Sequence, residues 1–373
     1  MIKKIFIVST IFLLTLLVFF GIYSVAFKPQ DTQKVATKDQ KIGDGLDIAN
    51  IVGEKMVNIT SDPVIAATLG PNSDTIRYID GLDGRAWTMT LRGSNKEVLM
   101  SETSGVPVSV KWSQRGDAAI IKYNDGGIFV HNYATKTKNK LRNGMDDVEW
   151  ASIDGKILYK YYDEKTKERS LNIANADGTN WKKIANLPFR YTEFMQIPSS
   201  ILVAFWPMQD VQVASEIFTT STINETEPKK IFSGEYGGEY VFSPNGKKVL
   251  VSSVKNGGIT LGVMDSDGKN YTDLMVPTIV DKAVWSKDNK TVYYAQPTDV
   301  PDSAVLPNDY VNKKFTTHDT FYKMDVESGK KERIIELKEI KEKIDASNMF
   351  LSPSEDALFF INRENQLLYK ISL

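Results

Sequence analysis

Cysteine is absent from the 373 residues. That removes disulfides, thiolate metal sites and cysteine nucleophiles together, and excludes a small disulfide-stapled secreted fold. Histidine is nearly absent, His131 and His318 being the two. A histidine-rich metal centre is therefore excluded, and a Ser-His-Asp triad has two candidate bases at most. Neither sign of charge is in excess, with 46 Lys and Arg against 47 Asp and Glu. No global field draws the chain to nucleic acid or acidic lipid. There is no Gly-x-Ser-x-Gly elbow, no phosphate-cradling glycine loop and no His-Glu-x-x-His motif. No metal and no cofactor is expected, and Asp265-Ser266-Asp267-Gly268 lacks the later ligands of a calcium loop and reads as a hairpin turn.

Long apolar runs are as scarce. One exists, the 23 uncharged residues Ile5–Phe27 behind Lys3 and Lys4. As helix it would be roughly 34 Å long, enough to cross a hydrocarbon core of about 30 Å. The reading is an N-terminal transmembrane anchor over 1–27, with the N-terminus cytoplasmic and the bulk of the chain extracytoplasmic in a prokaryotic cell. Ser24-Val25-Ala26 keeps a cleaved signal peptide as the competing reading. Residues 28–48 are polar and read as a linker.

What is present in quantity is aromatic and β-branched sequence with turn dipeptides. "YVFSPNGKKVLVSS", Tyr240–Ser253, reads as strand, Asn-Gly turn, strand. Aligned on Phe242-Ser243, the arrangement returns at Trp112-Ser113, Trp150-Ala151 and Trp285-Ser286. Weaker copies stand at Leu69-Gly70, Phe194-Met195 and Leu351-Ser352. Six places after the second member comes an apolar residue: Ile76, Ala119, Ile157, Ile201, Val249, Val292 and Leu358. The copies are 43, 38, 44, 48, 43 and 66 residues apart, a period that suits four-stranded propeller blades. The expectation is an all-β chain, a β-propeller of about seven four-stranded blades over 49–373, preceded by the transmembrane helix. The last copy leaves room for two further strands, so Ile51–Thr60 is expected to complete the seventh blade and close the ring.

Tyr240–Ser253, Val110–Ile121, Ala283–Ala295 and Asp265–Leu274 resemble the WD40-like repeats of TolB-type β-propellers. The resemblance covers roughly 50–373. It implies a propeller serving as a docking platform, as a gating domain on a peptidase or as a cell-surface domain. No α/β-hydrolase segment follows the repeats in this sequence, so the peptidase version is not the expectation.

Two departures from the repeat point to one face. Gln296–His318 is an excess of about 20 residues at the joint of the second and third strands of blade six, with no strand period of its own. "AFWPMQD" puts Trp206 and Met208 at the corresponding joint of blade four. Trp206, Met208, Tyr310, Phe315 and His318 are thus the candidate binding face, because aromatics and Met on a loop face suit docking. The alternative at this point is a local minicore, the insertion's aromatics packing on Trp206. His131 reads as a strand residue, and Glu336–Lys343 as a short helix or solvated turn. The expected partners are the membrane, through the N-terminal helix, and an unidentified protein or surface ligand. The expected function is binding. A hydrolase acting on polysaccharide or peptide with carboxylates at the central channel is the alternative, and spacing singles out no carboxylate for it.

Overall fold

The computed structural model describes residues 54–152 and 155–373. The first strand, β1 (Met56–Asn58), is followed by blade one, made of β2 (Val64–Leu69), β3 (Thr75–Asp80), β4 (Ala86–Thr90) and β5 (Glu97–Met100). Blade two is β6 (Pro107–Trp112), β7 (Ala118–Tyr123), β8 (Ile128–Asn132) and β9 (Thr137–Lys140). Blade three is β10 (Met145–Trp150), β11 (Lys156–Tyr162), β12 (Arg169–Asn175) and β13 (Lys182–Asn186). Blade four is β14 (Thr192–Gln196), β15 (Leu202–Pro207), β16 (Ala214–Ser221) and the first half of β17 (Lys229–Phe242). The second half of β17 opens blade five, which continues with β18 (Lys248–Lys255), β19 (Gly258–Asp265) and β20 (Thr272–Val276). Blade six is β21 (Ala283–Trp285), β22 (Thr291–Pro297), β23 (Asp319–Asp325) and β24 (Lys331–Arg333). Blade seven is β25 (Ala346–Leu351), β26 (Ala357–Asn362) and β27 (Leu368–Ser372), with β1 as its fourth strand.

Every blade is an antiparallel meander. The first strands of blades one to four neighbour one another in turn, and β25 neighbours both β21 and β2, so first strands line the axis. The ring closes as expected from Ile51–Thr60: Met56 pairs with Ile371 and Asn58 with Tyr369. Ile59 N donates to Leu368 O at 2.7 Å and Leu368 N to Thr60 Oγ1 at 3.0 Å. Blades four and five share β17, which changes partner at Gly237-Gly238, where Gly237 has φ +60°.

Strand alternation explains the packing. In β26, Leu358 and Phe360 belong to the apolar cluster shared with blade six, and Ala357, Phe359 and Ile361 to the cluster shared with blade one. A strand buried on both faces feeds two seams, as period 2 requires. The buried side chains form seven clusters, one for each seam of a seven-bladed ring.

The repeated turn also has its reason. Gly116 (φ +65°) and Gly246 (φ +68°) lie four residues after the aromatic slot, and a Cβ on either would stand 2.0 Å from a carbonyl of the preceding blade, that of Leu69 or Pro198. Only glycine lets these turns nest so closely. One register differs from the sequence expectation. The strand end that pairs seven residues on is Gln196, opposite Val203, just as Phe242 is opposite Val249. The blade-four copy therefore sits on Gln196-Ile197, two residues beyond Phe194-Met195, and Ile201 is exposed in the turn while Val203 is buried. Phe194 is buried as well, and a shift of two keeps every side chain on its face, so the apolar pattern cannot separate the two registers.

The expected anchor at Ile5–Phe27 and the linker lie outside the described residues. Among the described residues no helix is long and apolar enough to cross a membrane. Glu336–Lys343 contains one 3-10 turn, Leu337–Glu339, closed by a capping box between Glu336 and Glu339. Asp265–Gly268 lies in the β19–β20 hairpin turn.

Candidate functional site: the loop face and the channel mouth

The loops joining second to third strands, and blade to blade, emerge where the innermost strands begin. The insertion after β22 contains a short helix, α1 (Asn308–Val311). Its neck is closed by His318, whose carbonyl accepts from Thr298 N at 2.9 Å and Thr298 Oγ1 at 2.7 Å. The insertion meets the blade-four loop directly, as Val211 N donates to Asn308 Oδ1 at 2.9 Å. Both departures from the repeat thus share one face.

A buried ionic knot pins the insertion down. Lys282, 1% exposed, donates to Asp319 Oδ2 at 2.5 Å, Asp345 Oδ1 at 2.6 Å and Thr317 Oγ1 at 3.0 Å. The Tyr310 hydroxyl donates to Asp345 Oδ1 at 2.7 Å, and the Arg363 guanidinium lies 4.2 Å from the Tyr310 ring centroid. Burial pushes Asp345 up, but Lys282 first and then Tyr310 and Arg363 outweigh it and hold the carboxyl below its ordinary range. Beside this knot is an apolar cavity of about 220 Å³, with Ile259, Pro277, Ile279, Val300, Leu306 and Phe315 on its wall.

The five expected residues divide. Tyr310 and Phe315 meet, ring centroids 5.9 Å apart, and both line the cavity. Met208 is exposed on the adjoining loop, its N donating to Tyr191 O at 3.0 Å. His318 stands at the neck with a buried Nε2 that has no hydrogen-bond partner among the described residues. Trp206 is not a loop-tip residue. It ends the alternation Ala204, Trp206 of β15, is 2% exposed, and packs edge-on against Tyr240 in the blade four–five seam at 5.3 Å. Nor do the insertion's aromatics form a minicore on it; they pack on each other.

The channel mouth holds the carboxylates that spacing could not single out in the sequence. Counting three back from the end of the innermost strand gives Asp147, Glu193 and Glu239 in blades three, four and five, joined by Glu149 and by Asp281 at the start of blade six. Lys111 of β6 bridges Asp147, at 2.9 Å, and Glu149. Glu193, Glu239 and Asp281 form no ion pair among the described residues. These side chains keep contact with solvent, Asp147 and Glu149 at 30% and 29%, although the ring surrounds them with protein. Burial first, and then Asp147 and Glu193, push Glu149 up to about 7 against the pull of Lys111. Burial, Asp281 and Glu193 push Glu239 well up, with the Trp206 indole, which donates to Glu239 Oε2 at 3.3 Å, pulling the other way. The surrounding protein raises Glu193, and also Asp281 although that residue is exposed at the mouth, with Lys111 and Lys160 acting against the first and Arg363 and Lys282 against the second. At the opposite face the turns of blades two to five border a hollow of about 670 Å³ lined by Gln114, Ser152, Gln196, Ser199 and Ser200, among the described residues without a charged side chain.

Among solved structures the chain resembles an oligogalacturonate lyase in complex with manganese, at 12% identity and a TM-score of 0.61, covering 86% of this chain and 93% of that one. It likewise resembles the β-propeller domain of the trilobed protease from Pyrococcus furiosus, at 12% identity and TM-score 0.54, covering 83% and 95%. The fold is a β-propeller. At these identities the likeness extends to the fold alone. No family model matches the chain, and no curated protein does. Among the described residues of this propeller no three His, Cys, Asp or Glu side chains gather as a metal site.

Proposed function

We propose that this protein is a membrane-tethered, extracytoplasmic binding platform whose loop face takes an apolar group into the cavity beneath the blade-six insertion. The observation that carries the reading is the cavity itself, a preformed apolar hollow of about 220 Å³ whose cover is held by the Lys282–Asp319–Asp345 knot. A mostly apolar, preformed pocket with a few polar groups at its edge is the usual form of a ligand site. Met208, Val213, Val305 and Val311 are exposed on the blade-four loop and the insertion and extend the surface a partner would cover. Fluorinated apolar fragments observed by ligand-detected NMR test it. The full-length chain should bind one fragment per molecule, and Val300→Trp, which fills the hollow, should abolish binding without lowering the melting temperature. Fragments that bind both proteins equally would remove the cavity from the proposal.

A second reading, an enzyme cleaving polysaccharide or peptide at the channel mouth, draws on Glu149. A carboxyl held at about 7 beside Lys111 suits general acid catalysis near neutral pH. It requires turnover of such a substrate that Glu149→Gln abolishes.

A further inference from the structure

We infer that the channel mouth binds an alkylammonium cation, on Glu193, Glu239 and Asp281. Blades four, five and six each bring one carboxylate to this level of the axis, and each lacks an ion-pair partner among the described residues. Like charges facing one another cost stability, and a fold keeps such an arrangement where something else supplies the counter-charge. The neighbouring blades show what that is. There the ammonium of Lys111 is held by Asp147 and Glu149, a resident example of the contact three further carboxylates await.

A second observation points the same way. Ser252 pairs directly with Glu239 across β17 and β18, so the two side chains share one side of the blade. It is 1% exposed and its Oγ has no hydrogen-bond partner among the described residues. A buried hydroxyl without a partner is costly, and beside a carboxylate it supplies the neutral acceptor that an ammonium, with three N–H donors, takes alongside carboxylates. Burial first, and then Asp281 and Glu193, raise Glu239, so the three carboxylates act on one another. The ammonium could come from a polyamine or from a lysine side chain of a peptide, and this site is separate from the apolar cavity.

Calorimetry of the full-length chain with spermidine and with tetralysine tests the inference. Binding of either at about 50 mM salt, weakened about tenfold or more at about 500 mM, is expected for a charge-driven site. Glu193→Gln with Glu239→Gln should weaken it about tenfold or more, since each removed carboxylate takes away a charge-assisted bond. Asp281→Asn gives an independent check should the double variant fold poorly. Glu97→Gln, on the exposed outer strand of blade one, should change nothing. Spermidine alone binding, or tetralysine alone, supports the site and names the source. Neither binding to folded protein at low salt, or binding equally weakened by Glu97→Gln, would overturn it.

Discussion

Trp206 shows how one residue can carry a different role from the one its neighbours suggest. Next to Pro207 and an exposed Met208 it resembles a loop anchor, yet its indole fills the seam between blades four and five and donates to Glu239. Trp206→Ala should therefore act on stability. Removing a fully buried large aromatic costs about 3–5 kcal/mol through lost transfer energy and the cavity left behind. Chemical denaturation should show a loss of that size, while Trp206→Phe, which keeps most of the packing and drops only the Nε1 donor, should lose far less. An unchanged midpoint for Trp206→Ala would mean that the indole is not part of the seam.

At the scale of elements, β1 has three residues but several ties. Met56 and Ile59 are buried, Ser372 N donates to Lys55 O at 2.8 Å, and Ile59 N to Leu368 O at 2.7 Å. A chain starting at residue 46 should melt cooperatively, whereas one starting at 62 loses the outer strand of blade seven and bares the edge of β27. Two buried side chains at about 1.5–3 kcal/mol each and several hydrogen bonds at about 1 kcal/mol each approach the whole stability of a typical domain. Circular dichroism melts of the two chains decide it, and equal melting would contradict closure through β1. That strand was legible in advance because the final blade is short by one strand and a spare apolar stretch precedes the first. The acidic mouth was not. With the blade-four copy placed on Phe194, Glu193 falls in the column of Glu149 and away from Asp147 and Glu239. Moving the copy to Gln196 brings Asp147, Glu193 and Glu239 into one column. The shift is invisible to hydrophobic pattern, because residues two apart share a face, and only strand pairing settles it. The seam role of Trp206 was obscured differently, by the turn-like Pro207 that ends its strand.

For the whole molecule, the ring gathers charge that no stretch of sequence holds, and this should appear in its pH dependence. Glu149 is pushed up to about 7 by burial first, then by Asp147 and Glu193 against Lys111, and Glu193, Glu239 and Asp281 move in the same direction. A carboxyl whose pKa is higher in the folded chain keeps its proton there while the unfolded chain has lost it. Folded protein then binds more protons between the ordinary carboxylate value and about 7, so the mouth destabilises the fold as pH rises through that window. Buried His131 works oppositely. Burial lowers it to about 4, and its stability contribution, present above its ordinary value, is lost as pH falls toward 4. The Lys255 and Thr260 bonds to Asp273, which hold that carboxyl at about 2, contribute in full above about pH 4 and are lost only as pH falls below it. A single melting curve mixes these effects, whereas a difference between variants separates them. Glu193→Gln with Glu239→Gln removes two of the repelling charges and leaves His131 and Asp273 untouched. The melting temperature of the double variant minus that of the natural protein should therefore grow as pH rises from about 4.5 to about 7.5. It should shrink when salt screens the mouth. A difference that stays flat with pH, or one that falls, would mean that the carboxylates of blades four and five do not sense one another across the channel.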